Sequence, residues 1–83
     1  MDSLDVKEIL GYIVSKLVEN PDDVVINEVR GDDNNVVLEV KVNPSDMGKV
    51  IGRQGRIAKE IRTIIKSVAQ RDGKKVSVEI VDQ

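Results

Sequence analysis

Apolar side chains recur along this chain in two rhythms. From Leu4 to Glu19 they fall at Val6, Ile9, Leu10, Ile13, Val14, Leu17 and Val18. That i, i+3, i+4 spacing makes one continuous stripe and predicts an amphipathic helix. Ser3 or Asp2 is placed to cap its start, and Asn20-Pro21 to stop it, because a residue before proline avoids helical backbone. Val24 to Arg30 is β-branched and reads as a strand, followed by the turn composition Gly31-Asp32-Asp33-Asn34-Asn35. The rhythm then changes to strict alternation. Val36, Leu38, Val40 and Val42 share one face and Val37, Glu39 and Lys41 the other, which predicts a strand buried on one side.

Helical spacing returns after Pro44, with Ser45 the expected N-cap of a short helix over Asp46–Ile51. Four residues, Gly52-Arg53-Gln54-Gly55, interrupt it. A longer helix is predicted over Arg56–Arg71, with Ile57, Ala58, Ile61, Ile64, Ile65, Val68 and Ala69 facing inward and Asp72-Gly73 closing it. Alternation of Val76, Val78 and Ile80 with Ser77, Glu79 and Val81 predicts a last strand. The order is α-β-β-α-α-β. A short turn makes the first two strands antiparallel neighbours, and the two helices between the second and third suit a crossover between parallel ones. The expected fold is α+β: a three-stranded mixed sheet packed on one face by three helices, filling residues 1–83 as one domain.

Composition narrows the chemistry. The chain has no cysteine and no histidine, which removes disulfides, thiolate metal sites and the usual general base. The acid pairs Asp22-Asp23 and Asp32-Asp33 lack the alternating spacing of a calcium loop, and turn chemistry explains both. No catalytic or cofactor-binding constellation is legible, so the reading is of a non-enzyme without cofactors. The start, MDSLDVKEIL, is unlike a targeting peptide, and no apolar run reaches the ~20 residues of a membrane span. A reduced, soluble, cytoplasmic protein is expected.

The net charge of −2 conceals a division. Residues 41–75 carry ten basic side chains against three acids, a local charge of +7, and the remainder carries −9. A phosphate responds to the local field, so a pI near 5.1 does not exclude nucleic acid. Charge alone leaves open whether these are phosphate-binding or merely solvated helix faces.

The interruption is more specific. Glycine lacks Cβ and adopts positive φ, so a Gly-x-x-Gly corner lets main chain approach a ligand closely. It opens a helix, where unpaired N–H groups and the dipole favour an anion. Arg53, Gln54 and Arg56 add donors, Lys49 lies just before, and Lys59, Arg62 and Lys66 share one side of the helix beyond. The Gly-Lys-Ser/Thr ending of a P-loop is missing.

Residues 50–61, Val50-Ile51-Gly52-Arg53-Gln54-Gly55-Arg56-Ile57-Ala58-Lys59-Glu60-Ile61, match the pattern VIGxxGxxIxxI and resemble KH domains. Element order resembles the type II form, and length and termini resemble the small stand-alone bacterial RNA-binding KH proteins of the KhpA family. The resemblance implies that Gly52, Arg53, Gln54 and Gly55 hold the backbone of about four nucleotides of single-stranded RNA. Lys49, Arg56 and Lys59 would assist, Lys74 and Lys75 would flank the groove, and Val50, Ile51, Ile57, Val76 and Val78 would line it with aliphatic surface. An RNA chaperone or post-transcriptional regulator is the implied role. Self-association, or pairing with a larger KH-containing RNA-binding protein, is the implied alternative; the small core and acidic first half are consistent with it.

Overall fold

A computed structural model describes residues 5–31, 33 and 35–81. The first helix, α1, spans Val6–Leu17 and begins where Asp5 accepts the Lys7 N–H at 2.9 Å. The expected caps Ser3 and Asp2 lie outside the described residues. The helix also ends earlier than its apolar stripe does, with Val18 already extended (φ −99°, ψ 158°). The reason is 26 residues away. Asp46, completely buried, accepts the Glu19 N–H at 3.2 Å and the Asn20 N–H and Nδ2 at 3.0 Å each. Those amides leave the helix to satisfy a carboxylate.

The strands are β1, Val25–Arg30, and β2, Asn35–Lys41, paired antiparallel, and β3, Lys75–Ile80, parallel to β2. Sheet order is β1-β2-β3, as the alternation and the connection lengths predict. Between β2 and β3 come α2, Met47–Ile51, and α3, Arg56–Arg71. A 3-10 turn over Pro44–Asp46 precedes α2, and its cap is Asn43 rather than Ser45: Asn43 Oδ1 accepts the Ser45 N–H at 2.9 Å. The helix itself starts one residue later than Asp46, whose side chain is engaged with the end of α1.

The core lies between sheet and helices. Leu10 and Val14 of α1 meet Leu38 and Val40 of β2, Ile61, Ile65 and Ala69 of α3, and Val76 and Val78 of β3. Burying such an aliphatic side chain is worth about 1.5–3 kcal/mol, so the stripes of α1, β2, α3 and β3 hold the layers together. Ile64 departs from expectation. One residue before Ile65, it sits about 100° around α3, rolls off the apolar face, and is 44% exposed.

Lys49 completes the Asp46 cluster, its Nζ 3.3 Å from Asp46 Oδ1 and 3.4 Å from Glu19 Oε1. Burial by itself pushes the Asp46 carboxyl up. Hydrogen bonds from the Asn20 side chain, the Glu19 and Asn20 amides and Lys49 outweigh it and hold the group below its ordinary 3.8. For Lys49, burial pulls downward, and Asp46 and Glu19 more than offset it, so the ammonium titrates above 10.5. A carboxyl depressed in the folded state adds stability that is complete above its ordinary value and lost as pH falls through the folded one. Asp46→Asn turns an amino group toward the Asn20 donors, and its melting midpoint at pH 7 is expected to fall by roughly 10 °C. The deficit should shrink as pH drops below 3.8. Thermal scans at several pH values check this; a deficit unchanged down to pH 2 would mean that the carboxylate charge plays no part.

Candidate nucleic-acid interface

The corner begins as α2 ends. The Gly52 N–H still closes a helical bond to Gly48 O at 2.9 Å, but its φ of 73° and ψ of 177° belong to a region that essentially only glycine enters. A Cβ at Gly52 would lie 2.6 Å from Ile57 Cγ1, because Ile57 folds back over the corner. Residues Arg53–Gly55 form a 3-10 turn closed by Gly55 N–H donating to Gly52 O at 3.3 Å. Within it Gln54 (φ 57°, ψ 24°) and Gly55 (φ 74°, ψ 15°) are both left-handed. A left-handed glutamine costs on the order of 1–2 kcal/mol, so the packing around the corner over-determines a strained shape.

The strained corner leaves two donors unused among the described residues. The N–H groups of Arg53 and Gln54 find no acceptor among the described residues, whereas those of Gly52 and Gly55 are used internally. Both side chains are exposed, and a Cβ at Gly55 would meet nothing within 4 Å. α3 starts here, and sixteen aligned peptides place the positive end of its dipole at this point. Arg53, Arg56 and Lys59 are exposed and form no ion pair among the described residues. Cationic side chains, free amides and open space coincide, which is the chemistry of an anion site.

Other expected site residues stand apart from this cluster. Lys49 is held by Asp46 and Glu19, so its charge is already answered inside the protein. Lys74 and Lys75 follow the far end of α3, about 24 Å along its axis from the corner. Lys74 there borders an open cleft of about 830 Å³ between Asp5, Arg30 and Val36, which shares no residue with the corner. The expected aliphatic lining needs correction. Val50, Val76 and Val78 are buried in the core, since alternation along β3 aims its valines at the helices, and they are not open to a base. Ile51, exposed, and Ile57, half-buried, remain at the surface beside the corner.

Two residues escape a linear reading. Asp46 has partners 26 and 27 positions away, and no local pattern marks it. Arg62 stands in the basic row of α3, yet its Nε donates to the Val78 carbonyl of β3 at 3.2 Å. Its spacing from Lys59 could have marked its side of the helix, though not this partner.

Comparison with known proteins gives a family match and a fold match. The family described as KhpA/KhpB, KH domain, matches residues 7–80. The RNA-binding protein KhpA of Clostridium perfringens is 55% identical over 75 residues, which cover 90% of this chain and 99% of that protein. The RNA-binding protein KhpA of Aquifex aeolicus is 42% identical over 92% of this chain and 95% of its own. Among solved structures, Era in complex with MgGDPNP and nucleotides 1506–1542 of 16S ribosomal RNA aligns with a TM-score of 0.60 and 27% identity. That alignment covers 90% of this chain and 28% of the Era chain.

Proposed function

The chain belongs to the KhpA/KhpB KH-domain family, and from that premise we propose that it is a non-catalytic cytoplasmic RNA-binding module that clamps single-stranded RNA at Gly52-Arg53-Gln54-Gly55. The observation that carries the reading is the pair of amides at Arg53 and Gln54 with no acceptor among the described residues, in a corner bent by left-handed backbone at Gln54 and Gly55. Phosphates of about four nucleotides take those amides and the side chains of Arg53 and Arg56. Bases then lie over Ile51 and Ile57, toward the outer edge of β3. Tyr12, the one aromatic residue, stands on α1, so ring stacking contributes nothing at the corner. Affinity is accordingly modest and sequence preference loose, as suits an RNA chaperone or post-transcriptional regulator.

A second reading is that the chain works as a protein-interaction module, self-associating or docking on a larger KH-containing RNA-binding protein, with RNA contact secondary. It is favoured by large apolar side chains left outside the core and away from the corner, Tyr12 at 67% exposure, Val25 at 47%, Val29 at 45% and Ile64 at 44%. Sedimentation of the protein alone, with a labelled single-stranded RNA octamer, and with the same sequence as a duplex separates the two. The first reading expects co-sedimentation with the single strand and much weaker capture of the duplex; equal capture of both would remove it. A free protein that stays monomeric at tens of micromolar would remove self-association.

A further inference from the structure

We propose that Arg62 selects which base is accepted beside β3, favouring cytosine or guanine over adenine at one position. The inference rests on the RNA-binding reading and concerns the strand edge that the bases reach.

β3 is an outer strand, so among the described residues one row of its backbone groups lacks a strand partner. Val81 N–H donates to Val40 O at 2.9 Å, and successive residues alternate the lateral direction of their N–H and C=O groups. Val78 and Ile80 therefore turn theirs away from the sheet. The hydrogen bond from Arg62 Nε to Val78 O, 3.2 Å long, is made on that outer side. It changes what the edge offers. A bare strand edge presents a donor and an acceptor on the same residue, the pair that adenine matches with its N6 amino group and adjacent ring nitrogen. At Val78 one of the carbonyl's two lone pairs is taken and a guanidinium stands against it, the N–H remains, and the guanidinium keeps four further N–H donors.

A base opposite Val78 thus meets mainly donors. Two neighbouring acceptors satisfy such a surface: guanine O6 and N7, to which Arg donates in bidentate fashion, or cytosine O2 and N3. Adenine has no such pair: beside N1 or N7 stands its N6 amino group, which would set a donor against the guanidinium and lose one of the two bonds.

Fluorescence anisotropy with cytidine and adenosine octamers, at one salt concentration, tests this. The wild-type chain is expected to bind the cytidine octamer about tenfold more tightly than the adenosine octamer. Arg62→Met keeps the stem packing, frees the Val78 carbonyl and should bring the ratio close to one. Adenosine stacking in the free strand is common to both proteins and cancels when their ratios are compared. Arg62→Gln retains one donor for the carbonyl while adding an acceptor, and the ratio should fall there too, which covers the case that the Met variant does not fold. A uniform loss for both octamers would make Arg62 a charge and nothing more, and would overturn the proposal; so would a wild type without preference. Those results leave the clamp intact, whereas octamer binding that survives acidic substitutions at Arg53 and Gln54 would overturn the clamp itself and with it the placing of a base beside β3.

Discussion

Replacing Arg53 and Gln54 together by Asp is expected to weaken binding of a single-stranded RNA octamer by at least about 100-fold while leaving the fold intact. Neither side chain nor either amide has a partner among the described residues, so the protein loses no internal contact. Asp also tolerates the left-handed conformation at position 54 better than Gln does, and the melting midpoint should move by only a few degrees. At the RNA the change is severe. A charge-assisted hydrogen bond contributes about 1.5–3 kcal/mol, and two of them correspond to at least a 100-fold change in affinity. Two carboxylates at the positive end of α3 also repel the strand they replace contacts with. Anisotropy alongside circular dichroism reads both halves; unchanged affinity in a folded variant would sink the clamp.

Gly52→Ala is expected to be the most destabilising single change at the corner, by about 3–4 kcal/mol. Its backbone lies where a side chain costs about 1–3 kcal/mol, and the new methyl would collide with Ile57 at Cγ1, Cδ1 and Cβ together. Because Ile57 Cβ is within 3.0 Å, the clash involves the root of that side chain and not only a flexible tip, adding about 1–3 kcal/mol of overpacking. At about 4–8 °C per kcal/mol for a domain of this size, the midpoint should fall by roughly 15–25 °C. Gly55→Ala offers the contrast. With φ 74°, ψ 15° and open space around it, it should cost about 1 kcal/mol, yet its methyl stands where a phosphate would approach. Position 52 thus serves the fold, whereas position 55 bears on the proposed clamp. Melting curves of the two variants check the ranking, and a Gly52→Ala protein melting within 5 °C of wild type would contradict the packing of Ile57 on the corner.

What the linear pattern reveals and conceals follows from the range of the forces involved. Helix and strand periodicity reflects which face each element buries, and so β2 and α3 are legible from Val36–Val42 and Arg56–Arg71, while the connection lengths give the order of the three strands. The corner is legible because two glycines framing polar residues serve no apolar stripe. Contacts distant in sequence are not. Nothing near Asp46 announces that it will draw Glu19 and Asn20 out of α1, so both the end of that helix and the start of α2 shift from their expected places. Ile64 shows that an apolar residue at the margin of a stripe need not be core. The valines of β3 carry the opposite lesson. The same alternation that identifies the strand also commits Val76 and Val78 to the interior, and only the backbone edge is left for a ligand.

The most direct measurement is a titration of the isotope-labelled protein with a single-stranded RNA octamer, followed through backbone amide resonances. The Arg53 and Gln54 signals should shift most strongly, with Gly55, Arg56 and Val78 close behind and the α1 residues nearly still. Large shifts on α1 or β1 with Arg53 and Gln54 unmoved would show that RNA enters elsewhere and that the corner is only a bend in the chain.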